Sequence, residues 1–280
     1  MVNGLNIRNT YFEWGKRTYL MGILNVTPDS FSDGGQFYSV DNAVKQALIM
    51  VEEGADIIDI GGQSTRPGAK KITLEEELNR VIPVIEALRQ KSDIPISVDT
   101  TRSEVVKGAI ASGADIINDI SGATFDENML LTVAQLNVPI ILMHIKGTPE
   151  TMQTLTDYQD LIGEIKEFLQ TQINKAIELG IKKEDIIIDI GIGFAKNYEQ
   201  NIELLRKISE FKKMEFPLLV GTSRKSFIGK ILNENDPKKR VWGTAASCAY
   251  AIAQGADILR VHDVAPMYNT TRVTDAICRN

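Results

Sequence analysis

The chain has 280 residues, 43% of them hydrophobic, and a formal net charge of −6. Such a chain can build one large core, and its acidity argues against a general nucleic-acid surface. No apolar run is long enough to span a bilayer, so no membrane partner is expected. The first residues carry no basic-then-apolar leader pattern, and Cys248 and Cys278 lack metal-ligand spacing, so a reducing cytoplasm is expected.

Residues 1–19 are polar and aromatic by turns around Trp14-Gly15-Lys16. They predict a short N-terminal β-ribbon under the body of the fold. Leu20–Asn25 opens a series of short apolar runs that stop on a polar residue. Three of the later runs share a lead-in: Gly54-Ala55-Asp56, Gly113-Ala114-Asp115 and Gly255-Ala256-Asp257. A glycine in the left-handed region closes a helix, and a β-branched run after it reads as a buried parallel strand. Ile94–Asp99, Val138–His144, Asp185–Gly191 and Phe216–Gly221 follow the same plan. Helices are expected between the runs. Asp41 is a candidate cap for one reaching Glu53, and Thr73-Leu-Glu-Glu76 and Thr101-Arg-Ser-Glu104 match capping boxes. The longest helix spans about Tyr158–Leu179 and stops at Gly180. Eight strands separated by helices predict an α/β fold, a single (β/α)₈ TIM barrel over residues 1–280.

In such a barrel the C-terminal strand ends converge on one face, and chemistry is done there. The polar endings are Asn25, Asp59, Asp99, Asn118, His144, Asp189, Ser223 with Lys225, and Arg260 with His262. Two loops rich in Gly, Pro, Ser and Thr, 26–35 and 61–68, leave strand ends on that face, and their backbone N–H groups suit anions. Neither matches a P-loop, and Gly191-Ile-Gly193 lacks the third glycine of a dinucleotide fingerprint. Arg260 and His262 are two residues apart on one strand, so their side chains point the same way. Arginine can grip phosphate in bidentate fashion. Two histidines without a carboxylate at metal spacing do not support zinc on His262. His144 reads as structural.

Met21-Gly-Ile-Leu-Asn-Val-Thr-Pro-Asp-Ser-Phe-Ser-Asp-Gly-Gly35 and Asp59-Ile-Gly-Gly-Gln-Ser-Thr-Arg-Pro-Gly68 resemble the two signature loops of the dihydropteroate synthases. The similarity continues in order through Ser97–Thr100, Ile117–Gly122, Leu142–His144, Asp189–Phe194, Thr222–Ser226 and Arg260–His262. It implies an enzyme of folate synthesis that joins 4-aminobenzoate to 6-hydroxymethyl-7,8-dihydropterin diphosphate, releasing diphosphate.

The residues suit the roles the resemblance gives them. A carboxylate only accepts, so Asp189 matches the amino and ring N–H pair of a pterin edge and Asp99 a further donor. Asn118 matches a mixed edge, Lys225 can donate to the carbonyl oxygen and ring nitrogen, and Met143 is a candidate to pack on the ring. Arg260, His262, Thr65 and Arg66 are assigned to the diphosphate. Asn25 is assigned to Mg²⁺, which keeps mostly water and phosphate ligands. Phe31 and Pro67 would wall the aminobenzoate ring. Ser223 and the helix N-terminus after Thr222–Ser226 would receive its carboxylate. Asp33 would shield a developing cation. The two loops are expected to order with ligands.

Family members are usually homodimers, and Val241–Ala253 and Val264–Ile277 are candidate contact helices. Two other readings are a methyltransferase acting on a methylated folate and a non-catalytic pterin-binding barrel. Phe31, Arg66, Pro67 and Ser223 argue against the first, and the presence of Asn25, Arg260 and Lys225 against the second.

Overall fold

The computed structural model describes residues 4–27, 36–66 and 68–279. β1 (Gly4–Ile7) and β2 (Thr10–Glu13) form an antiparallel ribbon. Their register pairs Ile7 with Thr10, so the ribbon turns at Arg8-Asn9, with Arg8 at φ 52°. The sequence points to Trp14-Gly15-Lys16 instead. That segment leads out of the ribbon, with Gly15 at φ 83°, into β3 (Tyr19–Asn25).

Seven further strands follow: β4 (Ile57–Gly61), β5 (Ile96–Asp99), β6 (Ile116–Asp119), β7 (Ile140–Met143), β8 (Ile186–Asp189), β9 (Leu218–Val220) and β10 (Ile258–Val261). They close, all parallel, in the order β10-β3-β4-β5-β6-β7-β8-β9. The outer layer is α1 (Gln36–Glu52), α2 (Leu74–Arg89), α3 (Ser103–Ala111), α4 (Met129–Leu136), α5 (Leu161–Glu178), α6 (Tyr198–Arg206), α7 (Ile208–Lys212), α8 (Ser226–Leu232), α9 (Val241–Ala253) and α10 (Val264–Cys278). The fold is the expected (β/α)₈ barrel. No helix among the described residues is long and apolar enough to cross a membrane.

The three Gly-Ala-Asp repeats do one job three times. Gly54, Gly113 and Gly255 have φ of 103°, 108° and 101°, which only glycine adopts cheaply. Each donates to the carbonyl three residues back, and the following alanine to the one five back, which is a Schellman end. The aspartate then clamps the neighbouring strand at both backbone groups. Asp56, Asp115 and Asp257 donate their N–H to the carbonyls of Leu20, Ile96 and Leu218, each at 2.8 Å. Their carboxylates accept the N–H of those same residues at 2.8, 2.9 and 2.8 Å. Arg17, Arg89 with Arg8, and Lys212 neutralise the three carboxylates. These clamps sit at the N-terminal ends of the strands, away from the loops.

The barrel interior is layered. Near the N-terminal strand ends Tyr19, Met21, Ile57, Ile116, Ile141, Ile187, Leu219 and Ile258 form one buried apolar cluster. Leu5, Ile7 and Phe12 of the ribbon close it from below, as the sequence suggests. The outward strand residues join the helices in a second and larger cluster.

Two caps differ from expectation. α1 starts at Gln36, so Asp41 lies inside it. α3 starts at Ser103, and its first N–H is taken at 2.7 Å by Asp126 of the next loop rather than by Thr101. Thr73 does cap α2 through the N–H of Glu76, but the Glu76 carboxylate turns to Arg80.

Asp115→Ala should destabilise the protein by about 1–3 kcal/mol in urea unfolding, because it leaves the Ile96 N–H without its carboxylate acceptor and removes the shared partner of Arg89 and Arg8. A loss below about 0.5 kcal/mol, the range of an ordinary surface change, would show that the clamp does not hold the barrel.

Candidate active site

Side chains two residues apart on a strand share a face. Two residues beyond the apolar cluster, the inward positions are Ile23, Asp59, Asn118, Met143, Asp189, Gly221 and Arg260, with Asp99 at the same level on β5. The interior therefore changes from apolar to mostly polar within one step along the strands. Asp59, Asp99, Asn118 and Asp189 are all buried.

Arg260 organises this layer. Its Nε donates to Asp59 Oδ2 and its Nη2 to Asp99 Oδ2, both at 2.6 Å. Asn118 Nδ2 donates to the same Asp59 oxygen at 3.0 Å. Nη1 of Arg260 has no partner among the described residues. Asp59 Oδ1 and the Ser97 hydroxyl are buried without a hydrogen bond among the described residues. Burial raises Asp99, and the Arg260 guanidinium opposes the shift, with Asp59 adding to it. A salt bridge of this length keeps Asp99 ionised in our reading.

Asp189, at the end of β8, accepts the Gly191 N–H at 2.8 Å on Oδ1. Burial raises it, while Gly191, Lys225, Arg260 and Lys196 pull it down. Lys225 Nζ lies 4.2 Å over the Phe194 ring, a cation–π contact. Burial pushes Lys225 down to about 8, against the attraction of Asp189. Met143 and Phe194 belong to a small apolar cluster on this face with Ile120, Ile145, Met152 and Ala195.

At the rim the charge is positive. His262 is pushed down to about 3 by burial first, then by Arg224, Arg260, Arg66 and Lys225. Its N–H donates to Ser223 Oγ at 3.1 Å, and the same oxygen lies 3.0 Å from Nδ1. With one lone pair engaged by the His262 backbone N–H, the Ser223 hydroxyl keeps a proton and a second lone pair for Nδ1, so this contact fits either ring tautomer and leaves Nε2 facing outward. Arg224, at φ 58°, is paired with Asp263, and Arg240 Nη1 holds the Arg224 carbonyl at 3.0 Å, so the 222–225 turn is braced from behind. Arg66 is exposed and Thr65 half-buried in the second loop. α8 begins directly after the turn, where a helix start was expected.

Asn25 ends β3, half-buried, and its amide has no partner among the described residues. Among the described residues, no group of three His, Cys, Asp or Glu is placed to hold a metal. A cation at Asn25 would therefore rest on one neutral oxygen and take its other ligands from substrate and water. That donor set fits Mg²⁺ and does not fit zinc. Phe31, Asp33 and Pro67 lie outside the described residues, as does most of the first loop.

The structure thus brings Asp99, Asn118, Asp189, Lys225 and Arg260 to one interior layer, with Ser223 and His262 above it. His144 stands apart. It is buried, stacks edge-on at 5.0 Å to Phe168, and is pushed down to about 2 by burial, Lys196 and Lys146. Sequence reasoning places Asp59 at a strand end but gives it no part in the site. It misses Lys196, which lies beside His144, and Asp119, which holds the turn after β6 through Ser121 and Ala123.

The pterin binding enzyme family matches residues 21–262. The dihydropteroate synthase of Synechocystis sp. is 62% identical over 275 residues, 98% of this chain and 95% of that protein. Among solved structures, dihydropteroate synthase from Clostridium difficile, determined in the presence of pteroic acid, superposes with a TM-score of 0.91 at 48% identity, covering 96% of this chain and 100% of that one. The Xanthomonas albilineans dihydropteroate synthase with 4-aminobenzoic acid gives 0.92 at 42% identity, covering 99% and 98%. With a family match over residues 21–262 and 62% identity across 98% of its length to a dihydropteroate synthase, this chain belongs to the dihydropteroate synthase family of pterin binding enzymes.

Proposed function

We propose that this chain joins 4-aminobenzoate to 6-hydroxymethyl-7,8-dihydropterin diphosphate, giving 7,8-dihydropteroate and diphosphate. The observation that carries the reading is the step from a buried layer of acceptors to a rim of cations. It matches a ligand with a donor-rich flat end and an anionic tail.

In this reading the pterin lies on the polar layer. Asp189 takes the 2-amino and ring N–H donors, Asn118 and Asp99 meet the rest of that edge, and Lys225 donates to the carbonyl oxygen and ring nitrogen. Met143 and Phe194 face the ring. The diphosphate lies at the rim, held by Arg260 Nη1, Nε2 of His262, Arg66 and Thr65. Asn25 would hold Mg²⁺, which neutralises diphosphate charge when bound. The aminobenzoate carboxylate meets Ser223 and the start of α8, with Phe31 and Pro67 on the ring faces.

The reaction breaks the bond between the pterin methylene carbon and the diphosphate oxygen, and the electron pair leaves with diphosphate. The dihydropterin nitrogen lone pairs delocalise the cation, which Asp33 shields. The neutral arylamine nitrogen then bonds to the methylene carbon and loses a proton to solvent. The protein contributes placement, stabilisation of the departing charge and exclusion of water.

The proposal includes a cytoplasmic homodimer. Both cysteines are free, consistent with a reducing compartment. Ile231, Leu232, Trp242, Tyr250, Tyr268, Val273 and Ile277 on α8–α10 are exposed large hydrophobics, and Trp242 and Ile277 are 77% and 75% exposed. Such a concentration marks a protein contact. Light scattering should show a dimer, and Ile277→Asp should shift it toward monomer with its far-UV circular dichroism unchanged and its melting temperature lowered by the lost association. A wild-type monomer at micromolar concentration would contradict this.

Diphosphate release should require both substrates together. Release from the pterin diphosphate alone at the full rate would identify a hydrolase. In the same assay Phe31→Leu should raise the KM for 4-aminobenzoate by about 5–150-fold, equivalent to roughly 1–3 kcal/mol in that subsite, with the pterin KM nearly constant. Equal loss for both substrates would overturn the two-subsite arrangement.

A further inference from the structure

The segment after β8 is a strained turn. Gly191, Gly193 and Ala195 have φ of 67°, 82° and 50°. Glycine adopts this backbone cheaply, but alanine does not, and a left-handed Ala195 persists where surrounding groups enforce it. Three side chains do so. Lys196 is 2% exposed, donates to the Phe194 carbonyl at 2.8 Å, and places Nζ 3.0 Å from His144 Nδ1 beyond β7. Asn201 accepts the Gly193 N–H at 2.6 Å and donates to the Lys196 carbonyl at 3.2 Å. Tyr158 donates its hydroxyl to the Ala195 carbonyl at 2.9 Å.

The turn delivers two things to the site. It sets the Gly191 N–H on Asp189 Oδ1 at 2.8 Å. It also sets the Phe194 ring under Lys225 Nζ, and a Cβ on Gly193 would press the Lys225 stem at 2.8 Å. The packing has no slack: a Cβ on Gly191 would overlap the His144 carbonyl oxygen. His144 N–H in turn donates to the Asp189 carbonyl at 3.0 Å. Asp189 and Lys225 are thus aimed by one turn, and Lys196 is the side chain that ties that turn to β7.

We propose that Lys196 is a positioning residue for pterin recognition, fixing the directions of Asp189 and Lys225 by bracing the Gly191–Ala195 turn against His144. Lys196 Nζ is engaged by the Phe194 carbonyl and His144, so it acts on the pterin through those two groups. Its two acceptors need two N–H donors, which an amine has in either protonation state. The brace therefore does not depend on the charge of Lys196, which burial, Lys225 and Lys146 lower and Asp189 raises. This inference rests on the pterin-binding reading above.

The test is calorimetric titration of 6-hydroxymethylpterin into wild type, Lys196→Met, Asp189→Asn and the double variant. Lys196→Met keeps the buried stem and removes the donors; Lys196→Gln, whose amide nitrogen ends one atom short of Nζ and cannot span both acceptors, serves where the methionine variant does not fold. We expect about tenfold weaker pterin binding or more, the effect of one lost hydrogen bond in a buried site, with the KM for 4-aminobenzoate unchanged. Because Lys196 acts through Asp189, the double variant should lose much less affinity than the product of the two single losses. Wild-type affinity in Lys196→Met and Lys196→Gln, or losses that multiply, would overturn the proposal while leaving the pterin reading intact. Failure of the wild type itself to bind 6-hydroxymethylpterin would overturn both.

Discussion

Two carboxylates face each other inside this barrel, and one guanidinium keeps them there. Asp59 and Asp99 would repel in a dry interior, and each would also lose its hydration. Arg260 separates and pairs them by using different nitrogens of its guanidinium, Nε for one and Nη2 for the other. A lysine offers a compact point charge and no fixed pair of donors, so it could not hold both in one geometry. Asn118 then joins the set through Asp59, and the third guanidinium nitrogen has no partner among the described residues. A buried ionic cluster of this kind is weak evidence for stability, since apolar replacements often do as well. Its retention in the barrel mouth is better explained by the flat, donor-rich ligand it can recognise.

The same residue type does opposite work at the two ends of the strands. Asp56, Asp115 and Asp257 clamp backbone at the bottom, each with a cation from outside the barrel. Asp59, Asp99 and Asp189 line the top. Asp56 and Asp59 are three residues apart, yet an apolar layer closed by Phe12 and its neighbours lies between their environments. This separation lets the lower half hold the strands together while the upper half turns its charged groups toward the mouth. The turn after β8 and Arg224 at positive φ both belong to the upper half.

Much of this is legible in the sequence, because a polar residue that stops an apolar run in a parallel strand stands where the strand leaves the core. Asn25, Asp99, Asn118, Asp189, Lys225, Arg260 and His262 are found at or just beyond strand ends for that reason. Asp59 is visible but undervalued by such a pattern, since it sits mid-strand and its role emerges only when Arg260 reaches across from β10. Lys196 gives no signal, because its partners come from the end of β7 and from the turn before it. The α3 cap misleads for a related reason: Asp126 competes from another loop. Local patterns report period and punctuation well, and long-range pairing poorly.

The central claim is that the inner polar layer reads the amino and ring N–H edge of a pterin. It is tested most directly by comparing, in one calorimeter, 6-hydroxymethylpterin with its analogue lacking the 2-amino group. The account predicts about tenfold or greater weakening for the analogue, because a buried acceptor is left without its donor. Equal affinity for the two ligands would contradict it.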